Sequence, residues 1–263
     1  MLPQPRFWAL LVLGIVAAAD VVLGAELPLH QIVQTLFAAK PGTRTDFSGK
    51  DLSLLDLSGV DFKGANLANA NLLGADLTGA NLSNVNLAGA KLDRTSLGRA
   101  NFTNADLSRA TMYDAFGSLS FEAPAADAPS FAGANLSGAR IFARLSRADF
   151  RGANLAGARL NTERNQFKMP KQTDLSGANF SGANLEHADF TGANMIFATL
   201  RETDLAATIL VAADLSRADF TGARLAGADF TGANIDGALF KNAKGLASAK
   251  GLDHARNRDK AIF

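Results

Sequence analysis

Large apolar residues recur along this chain with a period of five. From Phe47 one stands at every fifth position, through Leu52, Leu57, Phe62 and Leu67 to Met112, fourteen centres without a slip. A second block runs from Leu175 to Phe240 and adds fourteen more. Between them lie Phe131, Leu136 and Ile141, then Leu145, Phe150, Leu155 and Leu160, so the step from Ile141 to Leu145 is four. Neither the 3.6-residue period of a helix nor the two-residue alternation of a strand produces this spacing, and internal repetition on such a scale decides the fold before any single element does.

The positions around each centre are equally constrained. Ala usually stands two before it, Asn or Asp one before it, and Gly often two after it, as in GANLANANLLGADLTGANL over residues 64–82. This pattern resembles the pentapeptide-repeat family, whose consensus is Ala-(Asp/Asn)-Leu-x-x, and the resemblance covers about 195 of the 263 residues. It implies an all-β fold, a right-handed quadrilateral β-helix in which four pentapeptides make one square coil and position i stacks on i+20. The residue chemistry agrees independently. A narrow tube needs one large and one small side chain pointing inward from each side, which Leu or Phe with Ala supplies, while Asn, Asp and Gly suit tight corners. Coils about 4.8 Å apart make nearly nine coils roughly 43 Å long. Each buried centre contributes about 1.5–3 kcal/mol against the entropy of ordering the chain. Stacking in register predicts one column of Phe180, Leu200, Phe220 and Phe240, and an opposite one of Phe190, Leu210 and Phe230.

The flanks depart from the repeat. Arg6 precedes an apolar run from Phe7 to Ala19, followed by Asp20. A basic start, a short apolar core and an Ala-x-Ala site describe a secretory signal peptide, here over residues 1–25, with cleavage after Ala19 or after Ala25. The alternative is an uncleaved anchor, but the 13-residue run is short of the roughly 20 that a spanning helix needs. No stable membrane span is therefore expected, a periplasmic or secreted location is, and Trp8, the only tryptophan, leaves with the signal. Residues 26–42 hold Leu29, Ile32, Val33, Leu36 and Phe37 at helical spacing, closed by Pro41-Gly42, and predict a short helix capping the N-terminal end of the tube. The repeat is expected over 43–245. Residues 246–263 lose it and form a cap, a dimer contact or a loose tail.

Two breaks interrupt the repeat. Residues 113–130 hold two prolines and the only tyrosine, Tyr113, and residues 161–173 hold Pro170 in a polar stretch. Both are expected to project as loops, where binding residues are commonly carried. In the alternative, Phe116 and Phe121 are degenerate centres leading in frame to Phe131. Asn165 and Pro170 fall in frame but are poor core residues.

Composition narrows the function. The chain has no cysteine, which excludes disulfides, thiolate zinc sites and thiol catalysis. Its three histidines, His30, His187 and His254, sit far from any recognisable nucleophile, and no phosphate-binding glycine motif or calcium nonapeptide occurs. No cofactor, metal site or catalytic residue is expected. The net charge of +1 conceals a sorted distribution. Residues 91–171 carry twelve basic and seven acidic groups, and residues 172–240 carry three and nine. Arg140, Arg144, Arg147, Arg151, Arg159, Arg164, Lys168 and Lys171, with Tyr113, are the candidate partner-binding residues. They steer an acidic protein partner or simply line a solvated wall.

A non-catalytic exported scaffold that binds another protein is the leading reading. A self-associating envelope protein, dimerising through the solenoid ends, is the next. Some members of the family imitate duplex DNA and bind gyrase. The acidic 172–240 section is compatible with that, whereas the signal peptide, the net charge and the basic middle oppose it, and nucleic acid itself is not an expected partner.

Overall fold

The computed structural model describes residues 26–40, 42–117, 125–161 and 172–263. The expected signal peptide, Phe121, Asn165 and Pro170 lie outside the described residues, as do Arg164, Lys168 and Lys171.

The chain winds into a right-handed quadrilateral β-helix. Single parallel bridges join Asp46 to Asn66, Asp51 to Asn71, Asp56 to Asp76 and Asp61 to Asn81, one on each face of the square, and the same step of twenty repeats upward. All thirty-five centres are buried, none more than 3% exposed. Each coil therefore closes a slice of core from four large side chains and the small ones beside them. The corners are held by local chemistry. Where Asp or Asn stands one before a centre, its side chain commonly accepts the N–H two residues on, as Asp46 Oδ1 does from Ser48 at 2.9 Å and Asp76 Oδ1 from Thr78 at 2.9 Å, an Asx turn that recurs around the tube. The same side chains form vertical ladders: Asn66 donates to Asp46 at 2.9 Å and accepts from Asn86 at 2.9 Å.

The breaks change the step between coils but not the stacking. Asn101 pairs with Ser130 and Asp106 with Asn135, a step of 29; Asn135 pairs with Asn154, a step of 19; Arg144 pairs with Asp174, a step of 30. Phe102, Phe131, Phe150 and Phe180 consequently form one continuous stack, with ring centroids 4.9, 4.9 and 4.8 Å apart. Phe220 and Phe240 continue the column at 4.8 Å, and Phe190 meets Phe180 edge-on across the tube at 6.0 Å.

The first break is narrower than its composition suggests. Thr111–Phe116 is a strand, β1, paired in parallel with β2, Arg140–Arg144. Phe116 is not a degenerate centre: it occupies the ladder position above Ser96 and is half-exposed. Gly117 takes the centre position instead, because the buried Pro129 returns beside it, and a Cβ there would lie 2.7 Å from Pro129 Cδ. With Gly117 the five-residue repeats make nine four-sided coils among the described residues.

The N-terminal end of the tube is covered. Helix α1, Leu29–Ala38, buries Ile32 and Leu36 but leaves Val33 and Phe37 exposed. Lys63 donates to the Leu36 carbonyl at 3.0 Å, satisfying the C-terminal end of the helix. At the other end the repeat is lengthened, not lost. Lys244, Lys250, Arg256 and Ile262 bridge to Arg224, Asp229, Asn234 and Leu239 at six-residue intervals. Each added residue goes into a corner: Gly245, Gly251 and Asn257 are left-handed and each opens a three-residue 3₁₀ turn. Phe263 stacks on Phe240 with centroids 5.0 Å apart.

Candidate partner-binding site

The site lies at one corner of the square, in the coils where the spacing is irregular. Elsewhere that corner is a tight turn. Here the step from Ile141 to Leu145 lacks one residue, so no turn forms and pairing continues around the corner from β1 to β2. Tyr113 pairs with Phe142 and Phe116 with Arg144, and a bulge between them absorbs the mismatch. Tyr113 is fixed from below: its N–H donates to Asp93 Oδ1 at 2.8 Å, and its carbonyl accepts from Arg94 N–H at 2.7 Å.

The opened corner holds two clefts on either side of Phe142. The first, about 130 Å³, is lined by Tyr113, Arg140, Ile141, Phe142, Arg159 and Asn161. The second, about 470 Å³, is lined by Arg94, Asp114, Phe142, Arg144 and Gln172 among others. Tyr113 and Phe142 are half-buried, while Arg140, Arg144 and Arg159 are exposed. Arg140 bridges directly to Arg159 on the next coil, which puts two guanidinium-bearing residues about 4.8 Å apart along the tube. Arg144 lies over the Phe116 ring at 5.7 Å, a cation–π contact that orients it across the corner.

Of the residues singled out by charge, Tyr113, Arg140, Arg144 and Arg159 converge here, and two do not. Arg147 follows the next centre, Leu145, and belongs to the next corner. Arg151 belongs to the corner after that, clamped on Asp149 by bonds of 2.9 and 2.7 Å. The hydrogen bond from Arg151 holds the Asp149 carboxyl below its ordinary range and raises the Arg151 guanidinium in turn. Charge counting missed Phe142, Arg94, Asn161 and Gln172. The four-residue step at Ile141–Leu145 is the signal that marks this corner, since a lost turn residue is what brings Phe142 into pairing with Tyr113.

The family model for pentapeptide repeats matches residues 45–84, 56–92, 80–116, 130–162, 171–206 and 208–244. The chain belongs to the pentapeptide-repeat family. No curated protein matches the sequence. Solved structures do. HetL, a pentapeptide-repeat protein involved in heterocyst differentiation regulation in the cyanobacterium Nostoc sp. strain PCC 7120, is 25% identical; the match covers 89% of this chain and 99% of HetL, with a TM-score of 0.48. A pentapeptide-repeat protein of the Arabidopsis thaliana thylakoid lumen is 28% identical over 48% of this chain and 74% of its own, with a TM-score of 0.26. QnrB1, a plasmid-mediated fluoroquinolone resistance protein, is 16% identical over 81% of this chain and 89% of its own, with a TM-score of 0.35. The pentapeptide repeat is in general a non-enzymatic structural fold. Among the described residues no group of three or more His, Asp or Glu side chains is placed to hold a metal ion, and no helix is long and apolar enough to cross a membrane.

Proposed function

We propose that this protein is a non-catalytic, exported scaffold that binds another protein, and that the partner docks at the corner formed by β1 and β2. The observation that carries this reading is the opened corner itself. It is the place where the repeating wall gives way to two clefts, with Tyr113 and Phe142 half-buried between Arg140, Arg144 and Arg159. Aromatic and arginine side chains on a rigid frame are the residues that anchor protein interfaces. The apolar run Phe7–Ala19 behind Arg6 supports export.

Affinity capture from a cell-envelope extract tests the docking site, with the triple variant R140E/R144E/R159E against R147E/R151E. Loss of one defined partner in the first variant alone is the expected result. Equal loss in both variants, or in neither, would sink the corner as the docking site. Fractionation with mass spectrometry of the N-terminus tests export: a periplasmic chain beginning at Asp20 or Glu26 is expected, and a full-length cytoplasmic chain would overturn it.

A further inference from the structure

Some cations on this tube are paired with a neighbouring carboxylate. Arg201 meets Asp219 at 2.6 Å, Arg224 meets Asp204 at 3.6 Å, Arg151 meets Asp149 at 2.7 Å and Lys260 meets Asp236 at 3.3 Å. The column through Arg140 holds none of these pairs. From Asp51 upward it reads Asn71, Lys91, Thr111, Arg140 and Arg159, and the next carboxylate above Arg159 is Asp189. The Oδ1 of Asp189 accepts from Thr191 N at 2.9 Å and Thr191 Oγ1 at 2.6 Å. Among the described residues neither Arg140 nor Arg159 forms an ion pair, and both line the 130 Å³ cleft.

Two guanidinium groups on successive coils repel each other unless an anion lies between them. Their planar donor forks match the two oxygens of a carboxylate. The cleft, at about 130 Å³, has room for such a group. Tyr113 and Phe142 supply apolar walls, and Asn161 a polar edge. The extent of the positive surface selects the kind of anion. A duplex or a lipid surface needs cations spread along a face, whereas this column turns acidic at Asp189 and again at Asp229. A short acidic segment of a protein, with an apolar residue beside its carboxylate, fits between those limits.

We infer that the Arg140–Arg159 cleft is a carboxylate-binding subsite that receives a Glu or Asp side chain of the docked partner. This rests on the docking corner proposed above and adds the chemistry of what is held there.

The test is fluorescence anisotropy of a labelled peptide, Glu-Glu-Phe-Glu-Glu, with the full chain. Binding is expected to weaken at least tenfold in R140Q/R159Q and less than twofold in R147Q/R151Q, and to recover in part in R140K/R159K. Arg140 and Arg159 are exposed and form no ion pair among the described residues, so the melting temperature of R140Q/R159Q should be unchanged. Three results would overturn the inference: no peptide binding to the wild-type chain, equal weakening by both glutamine pairs, or inorganic phosphate, duplex DNA or phosphatidylserine vesicles binding through Arg140 and Arg159 when the peptide does not. Failure of the docking reading looks different. Partner capture indifferent to R140E/R144E/R159E, with peptide binding intact, leaves the carboxylate subsite standing and removes the corner as the place of partner capture. Capture lost in that variant with no peptide binding does the reverse.

Discussion

Phe131 stacks on Phe102 with ring centroids 4.9 Å apart and planes within 6°, although 29 positions separate them in the chain. The intervening break is excluded from the column, and the core passes through it without a gap. Continuity of this kind ties coils below the break to coils above it.

Replacing Phe131 by alanine removes the ring that joins Phe102 to Phe150. The expected loss is about 3–5 kcal/mol, the range for a large ring deleted from a packed core. Phe131→Leu, which matches most other columns, should cost well under half of that. Chemical denaturation with a common slope measures both.

Gly117 stands where the repeat calls for leucine, so a repeat-based design would place one there. The structure predicts the opposite outcome. A Cβ at Gly117 meets Pro129 Cδ at 2.7 Å, and Gly117→Ala should destabilise by about 1–3 kcal/mol through overpacking. Shortening the opposing ring with Pro129→Ala should recover part of that cost, a coupling that a double-mutant cycle detects.

Asn66 uses both ends of its amide, donating to Asp46 and accepting from Asn86. Asn66→Asp keeps the shape, removes the donor and sets two carboxylates on adjacent rungs. A cost of about 1 kcal/mol is expected at neutral pH, combining a lost hydrogen bond with like-charge repulsion. That cost should shrink as the pair protonates, so the melting-temperature difference from wild type narrows towards pH 4.

Several ladder aspartates titrate below their ordinary value of 3.8. For Asp149 the main cause is the hydrogen bond from Arg151, and for Asp229 it is the hydroxyl of Thr231. For Asp219 burial pushes upward, and bonds from Thr221 and Arg201 outweigh it. A depressed carboxyl pKa stabilises the fold above the unfolded value and loses that contribution as pH falls through the folded one. The melting temperature should therefore be level from neutral pH down to about pH 4 and drop below it. A D149N/D219N/D229N variant should show a shallower acid limb.

The period of five was enough to read nearly all of the core from sequence, because in a tube this narrow the inward position recurs with the repeat and each centre carries its own burial, and the family resemblance of the repeat implied the fold. Phe116 shows the limit. It has the right residue type and lies in a frame that leads to Phe131, yet the chain places Gly117 inside, since only packing against Pro129 decides which neighbour turns inward. The candidate site was legible in part. Arg140, Arg144, Arg159 and Tyr113 stood out by charge and chemistry, but so did Arg147 and Arg151, which leave for other corners.

Amino-acid order alone determined which residues fill the tube and where its wall is interrupted, and through the family resemblance of its repeat it implied a four-sided coil. These are local facts, repeated every five residues and legible from neighbours in the chain. The tertiary structure decided what lies above what once the steps become 29, 19 and 30. The shortened step brings Arg140 beneath Arg159, where an unbroken repeat would set it beneath Leu160. Contacts between coils depend on the summed length of everything between them, so one missing residue resets a whole column of side chains while leaving the local pattern on either side unchanged.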